Sequence, residues 1–167
     1  MTLDSFLNPE NVVEEFDVRP GEIIADFGAG SGFFSVALAK RVGHTGKVYA
    51  LDIRAEALEA VKSKAKFYKI LNIEPIRANL ELSRGSGLKN DIANKVIISN
   101  ILFQSENKKN IAEEAYRILK PGGNAIVIEW KEKMEKSAAQ NLFETVGFSL
   151  KKDFSAGSHH YGLIFKK

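Results

Sequence analysis

Three glycines spaced one residue apart are the residues best suited to chemistry in the first part of the chain. Gly28, Gly30 and Gly32 follow Asp26, with Ala29 between the first two, at the point where an apolar run gives way to an amphipathic one. Glycine lets a ligand approach the backbone closely, and the free N–H groups at a helix start bind polar or anionic groups. The pattern therefore predicts a nucleotide-type ligand at this turn.

The spacing of these glycines separates one cofactor class from another. The dinucleotide fingerprint G-x-G-x-x-G requires a glycine at position 33, where this chain has Phe33. Asp52 ends a second apolar run, 24 residues beyond Gly28, where a carboxylate can accept hydrogen bonds from both ribose hydroxyls. The residues thus predict a ligand that contains a nucleoside, and they disfavour NAD.

Several segments resemble the class I S-adenosylmethionine-dependent methyltransferases. The segments that carry this resemblance are Ile24–Gly32, Val48–Asp52 and Leu119–Gly123. The resemblance covers about residues 20 to 166. Within the superfamily, Ser99–Phe103 and Glu113–Gly123 are most similar to the ubiquinone/menaquinone-biosynthesis-like branch.

The resemblance implies S-adenosylmethionine as the cofactor and gives roles to the residues around it. Asp26 and the glycines would hold the methionine portion, Asp52 the ribose, and Ile53 one face of the adenine. Asn79, followed by Leu80, matches the position of a polar residue near the adenine amino group, although a polar loop residue needs no function. The predicted cofactor residues are Asp26, Gly28, Ala29, Gly30, Gly32, Asp52, Ile53, Asn79, Leu80 and Asn100.

Strands that alternate with helices must position these residues. Strands are predicted at 22–27, 47–53, 74–78, 95–100 and 124–130, and helices at 32–41, 54–70, 106–119 and 137–146. Two final extended runs, 148–154 and 161–165, are joined by about six residues, too few for a parallel crossover. They therefore predict an antiparallel hairpin.

The predicted fold class is α/β, a Rossmann-like doubly wound sheet with helices on both faces. The resemblance implies seven strands, mostly parallel, with one antiparallel strand, and this agrees with the hairpin inferred from the short connection. Residues 1–167 are expected to form a single methyltransferase domain.

Composition excludes several other classes of site. With no cysteine among 167 residues, disulfides, thiolate metal sites and thiol nucleophiles are ruled out, and no metal site is predicted. No apolar run is long enough to span a membrane and the N-terminus is acidic, so a cytoplasmic location is expected. Residues 1–60 hold 5 Lys and Arg against 10 Asp and Glu, and the remainder holds 19 against 11. That basic excess could favour an anionic substrate or nucleic acid, but ordinary solvated faces are the favoured explanation.

Candidate catalytic residues follow from topology, because ligands of open α/β sheets lie beyond the carboxyl ends of the parallel strands. The residues predicted at that edge are Asn100, Phe103, Gln104, Glu129–Lys131, His159, His160 and Tyr161. His159 and His160 are the predicted proton acceptors and Asn100 a third catalytic candidate, since a base that titrates near neutral pH assists attack by a hydroxyl or an acidic carbon. An exposed turn without a catalytic role is the alternative for both histidines.

Methyl transfer to a small-molecule acceptor is the main functional hypothesis. The segment after the fourth strand reads Asn-Ile-Leu-Phe and lacks the Asn-Pro-Pro-aromatic motif of enzymes that methylate adenine or glutamine amides. The absence of cysteine disfavours arsenic methylation. RNA or protein remains an alternative acceptor because no inserted cap domain is evident, and a nucleoside-binding module without turnover is a third hypothesis. The oligomeric state is left open.

Overall fold

A seven-stranded sheet forms the centre of the computed structural model, which describes residues 7–167. The strands are β1 (Ile23–Phe27), β2 (Lys47–Asp52), β3 (Ile73–Arg77), β4 (Ala93–Ser99), β5 (Leu119–Trp130), β6 (Ser149–Ser155) and β7 (His160–Lys166). They lie in the order β3-β2-β1-β4-β5-β7-β6, and β7 is antiparallel to both of its neighbours while the other pairs are parallel. The predicted fold class, including the hairpin strand, is confirmed.

Helices cover both faces of the sheet. They are α1 (Pro9–Val12), α2 (Phe33–Val42), α3 (Ala55–Phe67), α4 (Lys108–Ile118) and α5 (Lys136–Val146), with 3-10 turns at Val13–Phe16 and Leu102–Gln104. The first three helices pack on one face and the last two on the other. Within residues 7–167, none of these helices is long and apolar enough to cross a bilayer.

The central strands are buried on both faces, which explains their continuous apolar sequence. Val96 and Ile98 of β4 contact the α4 and α5 side, while Ile97 contacts the α1 and α2 side, and all three are fully buried. Burial of each such side chain stabilises the fold by roughly 1.5–3 kcal/mol. These strands form a rigid platform for the loops at their ends.

The two largest differences from the predicted element boundaries, at the start of β5 and the end of α3, have physical reasons. β5 begins at Leu119 rather than Asn124, because Leu119 pairs with Ala93 before the register shifts to Lys95 opposite Asn124. The Pro-Gly-Gly segment is thus an irregularity within the ladder, and α4 already ends at Ile118. α3 ends at Phe67, three residues early, and Lys69 takes a left-handed conformation.

The register of the parallel strands brings their carboxyl ends to one level. Phe27, the last residue of β1, pairs with Leu51 on one side and with Ile98 on the other. The segments that follow β1, β2 and β4 therefore meet at one edge of the sheet, as the topological rule requires. The assignment of residues 1–167 to one domain includes residues 1–6, which lie outside the described residues, and it stays a prediction.

Candidate functional site

A cavity of about 640 Å³ opens where the segments after β1, β2, β3 and β4 meet. This volume is in the range of small-molecule and cofactor sites. The residues predicted to hold the cofactor that line it are Asp26, Gly28, Ala29, Gly30, Asp52, Ile53, Asn79, Leu80 and Asn100. Gly32, the remaining predicted residue, lies one step back as the N-cap of α2.

The three glycines are required for two different reasons, although all have positive φ angles of 55° to 81°. A Cβ on Gly28 would lie 2.3 Å from Cγ2 of Ile101, and one on Gly32 would lie 3.0 Å from Cγ2 of Val61. A Cβ on Gly30 would meet no atom closer than 4.0 Å. The first two glycines therefore allow the protein to pack on itself, whereas Gly30 leaves open space beside the backbone for a ligand.

Asp52 ties the glycine turn to the end of β2. Its Oδ2 accepts the N–H of Gly30 at 2.9 Å, and its Oδ1 accepts the N–H of Arg54 at 2.9 Å and Nε of Arg54 at 3.2 Å. Burial opposes ionisation of Asp52, but the hydrogen bonds from Arg54 and Gly30 outweigh it and hold the pKa of this carboxyl below its usual value. The site therefore presents an ionised carboxylate that can accept from hydroxyl groups.

Asp26 has the opposite electrostatic environment. It is 1% exposed, and burial raises its pKa to about 6, with the neighbouring charge of Asp52 acting in the same direction. The hydroxyl of Ser35 donates to Oδ2 of Asp26 at 2.6 Å and partly offsets this effect. A cation in the cavity would stabilise the ionised form of Asp26, so this end of the cavity favours a positively charged ligand group.

The segments after β2 and β3 form an apolar wall with one polar side chain. Ile53 is 53% exposed and Leu80 is buried beside the cavity. Oδ1 of Asn79 accepts the N–H of Glu81 at 3.1 Å, a local bond that stabilises the loop. The side-chain oxygen of Asn79 therefore has a structural role in the loop, which is the alternative that the sequence left open.

Asn100 carries an unusual combination of strain and an unpaired oxygen. Its φ of 57° lies in the left-handed region, which Asn adopts more readily than most residues. The backbone N–H of Asn100 donates to Ile128 at 2.9 Å, and its carbonyl accepts from Nε2 of Gln104 at 3.0 Å. Its side-chain Oδ1 is buried with no hydrogen-bond partner among residues 7–167, and a donor from a ligand would satisfy it.

Comparison with known proteins gives the family. A family model described as a methyltransferase domain matches residues 19–161. The chain belongs to this methyltransferase-domain family. The family predicted from the sequence is therefore confirmed.

Curated relatives and a solved structure agree with this methyltransferase-domain assignment. Ubiquinone/menaquinone biosynthesis C-methyltransferases from Hydrogenovibrio crunogenus and Haemophilus ducreyi are 32% and 30% identical over 73% and 80% of this chain, which supports the predicted branch. The chain spans about half the length of these relatives, 47% and 50% respectively. The structure of a SAM-dependent methyltransferase from Aquifex aeolicus, 24% identical, has a TM-score of 0.86 and covers 98% of this chain and 91% of its own, which shows a shared fold.

The predicted catalytic histidines of this methyltransferase-domain chain lie outside the cavity. The loop between β6 and β7 reaches the expected edge of the sheet, but β7 and β5 separate it from β4. His160 is 4% exposed with its ring centroid 4.2 Å from that of Trp130, and burial lowers the pKa of His160. His159 is exposed. Neither histidine lines the cavity, so their catalytic role stays a prediction.

Of the other candidates at this edge, Asn100 and Gln104 line the cavity. Phe103, Glu129–Lys131 and Tyr161 do not. Sequence reasoning missed Ser35, which hydrogen-bonds Asp26, and Arg54, which hydrogen-bonds Asp52. Arg54 lies two residues after Asp52, the last residue of β2, and Ser35 lies in the first turn of α2, directly after the glycines. Both residues could therefore have been identified from the local sequence.

Substitution of two neighbouring glycines separates the packing role from the ligand-space role. Gly28→Ala is expected to lower the free energy of unfolding by about 1–2 kcal/mol more than Gly30→Ala, since only Gly28 overlaps Ile101. Both positions have left-handed φ angles, so the backbone strain is similar and largely cancels in the comparison. Urea denaturation measures the difference.

The overlap with Ile101 is tested by a second substitution. In an Ile101→Ala background, Gly28→Ala should lose most of its extra cost. Equal losses for the two glycine variants in the parent chain would show that the Gly28 contact is not limiting.

Proposed function

We propose that this chain binds S-adenosylmethionine in the cavity and transfers its methyl group to a small-molecule acceptor. The observation that carries the proposal is the pairing of two unlike carboxylates across one glycine turn. Asp52, hydrogen-bonded and ionised, suits ribose hydroxyls, while Asp26, with a raised pKa, suits the cationic end of the cofactor. Asp52 also accepts the N–H of Gly30, beside which the backbone leaves open space.

The nucleoside half has matching surfaces on the segments after β2 and β3. The exposed side chain of Ile53 and the buried Leu80 offer apolar faces to a purine ring. Asn79 lines the cavity next to Leu80, and we keep it as the candidate contact to the adenine amino group. Ribose hydroxyls would compete with Arg54 for Oδ1 and Oδ2 of Asp52, which implies that the exposed Arg54 side chain moves on binding.

We assign binding of the methionine half of the cofactor to Asp26, the glycine turn and Asn100. When bound, the cofactor supplies a sulfonium methyl with a good leaving group. The chain's own contribution is then to hold cations near Asp26 and to offer the unpaired Oδ1 of Asn100 as an acceptor. Placement of the acceptor in line with the methyl group can account for much of the rate, so no general base has to lie in the cavity.

The acceptor is proposed as a small molecule because the curated relatives are named for ubiquinone and menaquinone biosynthesis. An RNA or protein acceptor and a binding module without turnover are the competing functions. The predicted cytoplasmic location stays a prediction.

Ligand choice is the first test of this proposal. Calorimetry with the purified chain is expected to detect S-adenosylhomocysteine and not NAD, since Phe33 replaces the third fingerprint glycine. Asp52→Ala should weaken S-adenosylhomocysteine by about 1–3 kcal/mol, the range for hydrogen bonds to a charged group, and Asp153→Ala on β6 is the matched control. Tighter binding of NAD would overturn the proposal.

Turnover is tested with the same protein and a cofactor labelled in its methyl group. Label should enter the small-metabolite fraction of a cell extract, and transfer to RNA or protein fractions would establish a competing acceptor. Binding without any transfer would establish a module without turnover.

The pH dependence of binding reports on Asp26. Because the pKa of free Asp26 is raised to about 6 and a bound cation favours its ionised form, binding releases a proton below that pH. Affinity for S-adenosylhomocysteine should therefore fall as pH decreases through about 6, by at most about tenfold per pH unit. Asp26→Asn should remove the step near pH 6, and a step that persists at that pH in the variant would assign it to another group.

A double substitution tests the hairpin histidines. If either histidine is the base, His159→Ala with His160→Ala should abolish turnover while leaving the affinity for S-adenosylhomocysteine unchanged. Since neither side chain lines the cavity, we expect turnover to be retained to within about threefold. Loss of more than about 100-fold in kcat would restore the catalytic assignment.

A further inference from the structure

We propose that Glu129 is a positioning residue that orders the segment Asn100–Gln104 and thereby shapes the cavity wall after β4. Glu129 lies at the end of β5, fully buried, and does not itself line the cavity. The inference rests on the proposed function only in treating that cavity as the cofactor site.

The contact that carries the proposal is a hydrogen bond from the wall segment to the carboxylate. Oε1 of Glu129 accepts the backbone N–H of Leu102 at 2.7 Å. The N–H groups of Ile101, Phe103 and Trp130 act on the same carboxylate and favour its ionised form. An acceptor approached by three successive backbone N–H groups, those of residues 101–103, fixes the path of that segment as well as its distance from β5.

The segment held in this way has direct contact with the ligand space. Ile101 packs against Gly28, since a Cβ on that glycine would lie 2.3 Å from Cγ2 of Ile101. Asn100 presents its unpaired Oδ1, and Gln104 closes the turn by donating to the carbonyl of Asn100. The backbone N–H of Asn100 donates to the carbonyl of Ile128, and that of Leu102 donates to the side chain of Glu129, so this wall is connected to β5 at two points.

Glu129 has features that a purely structural carboxylate would not need. Its Oε2 is buried without a hydrogen-bond partner among residues 7–167, and the same is true of the hydroxyl of Tyr161, directly opposite on β7. Burial raises the pKa of Glu129 to about 7. Tyr161 is itself titratable, and the charges of Glu129 and of Glu135 at the start of α5 both act on it.

The environment gives the positioning role a measurable signature. An ionised acceptor makes a stronger hydrogen bond than a neutral one, so Glu129 should hold Leu102 more firmly as pH increases through about 7. A carboxylate with only a structural role would leave the order of the wall independent of pH in this range.

The test compares Glu129→Gln with the parent chain and with Glu132→Gln, an exposed carboxylate on the loop after β5. Glutamine keeps the shape and an acceptor oxygen but removes the charge. At pH 8 we expect amide hydrogen exchange at residues 101–103 to become about tenfold faster and S-adenosylhomocysteine to bind about three- to tenfold more weakly. In the parent chain, the affinity for S-adenosylhomocysteine should also increase as pH rises through about 7, because the wall becomes more ordered. This increase should disappear in Glu129→Gln, while Glu132→Gln should match the parent.

A second measurement uses the unaltered chain and decides the matter even if Glu129→Gln fails to fold. In NMR, the amide of Leu102 and the carboxyl carbon of Glu129 should titrate with one midpoint near pH 7. An amide of Leu102 that does not respond while Glu129 titrates would overturn the positioning role. Failure of the parent to bind S-adenosylhomocysteine would overturn the proposed function, and the titration would still decide the role of Glu129 in ordering the segment.

Discussion

The register between β1 and its two parallel neighbours is the constraint on which the rest of the site depends. Phe27 pairs with Leu51 and with Ile98, so three strands end at one level and their following segments converge. A slip of one residue would turn every side chain of the shifted strand to the opposite face of the sheet. It would also break the bond from Gly30 to Asp52, which requires the two strand ends to lie side by side.

Burial and hydrogen bonding give three buried carboxylates at this edge different pKa values. Asp52 has a lowered pKa, so its contribution to stability is present above its ordinary pKa and is lost as pH falls. Asp26 and Glu129 have raised pKa values of about 6 and about 7, so the folded chain binds their protons more tightly than the unfolded chain does. Their ionisation therefore costs stability as pH rises from about 4 to about 7. The fold retains these two carboxylates where an apolar residue would pack at lower cost, which is typical of a functional site.

Local patterns and the family resemblance were enough to predict many of the residues that line the cavity. The glycine turn, Asp52 and the alternation of strands with helices are encoded by short runs of sequence, and the hairpin follows from a six-residue connection. The start of β5 at Leu119 was missed because it depends on pairing with Ala93, which is distant in sequence. The contact between Gly28 and Ile101 was missed for the same reason, since neither residue signals the other.

The sheet order explains why residues that act on a methyl acceptor are harder to predict from the sequence than residues that line the cavity. β7 lies between β5 and β6, so the histidines that resemble a catalytic pair are separated laterally from the cavity, and His160 packs against Trp130. Part of the cavity wall comes instead from the segment after β4, whose shape is set by β5 through Ile128 and Glu129. The groups of this segment that bond to β5 are the backbone N–H groups of Asn100 and Leu102. The path of the segment therefore depends little on the chemistry of its own side chains, and a sequence motif cannot reveal its shape.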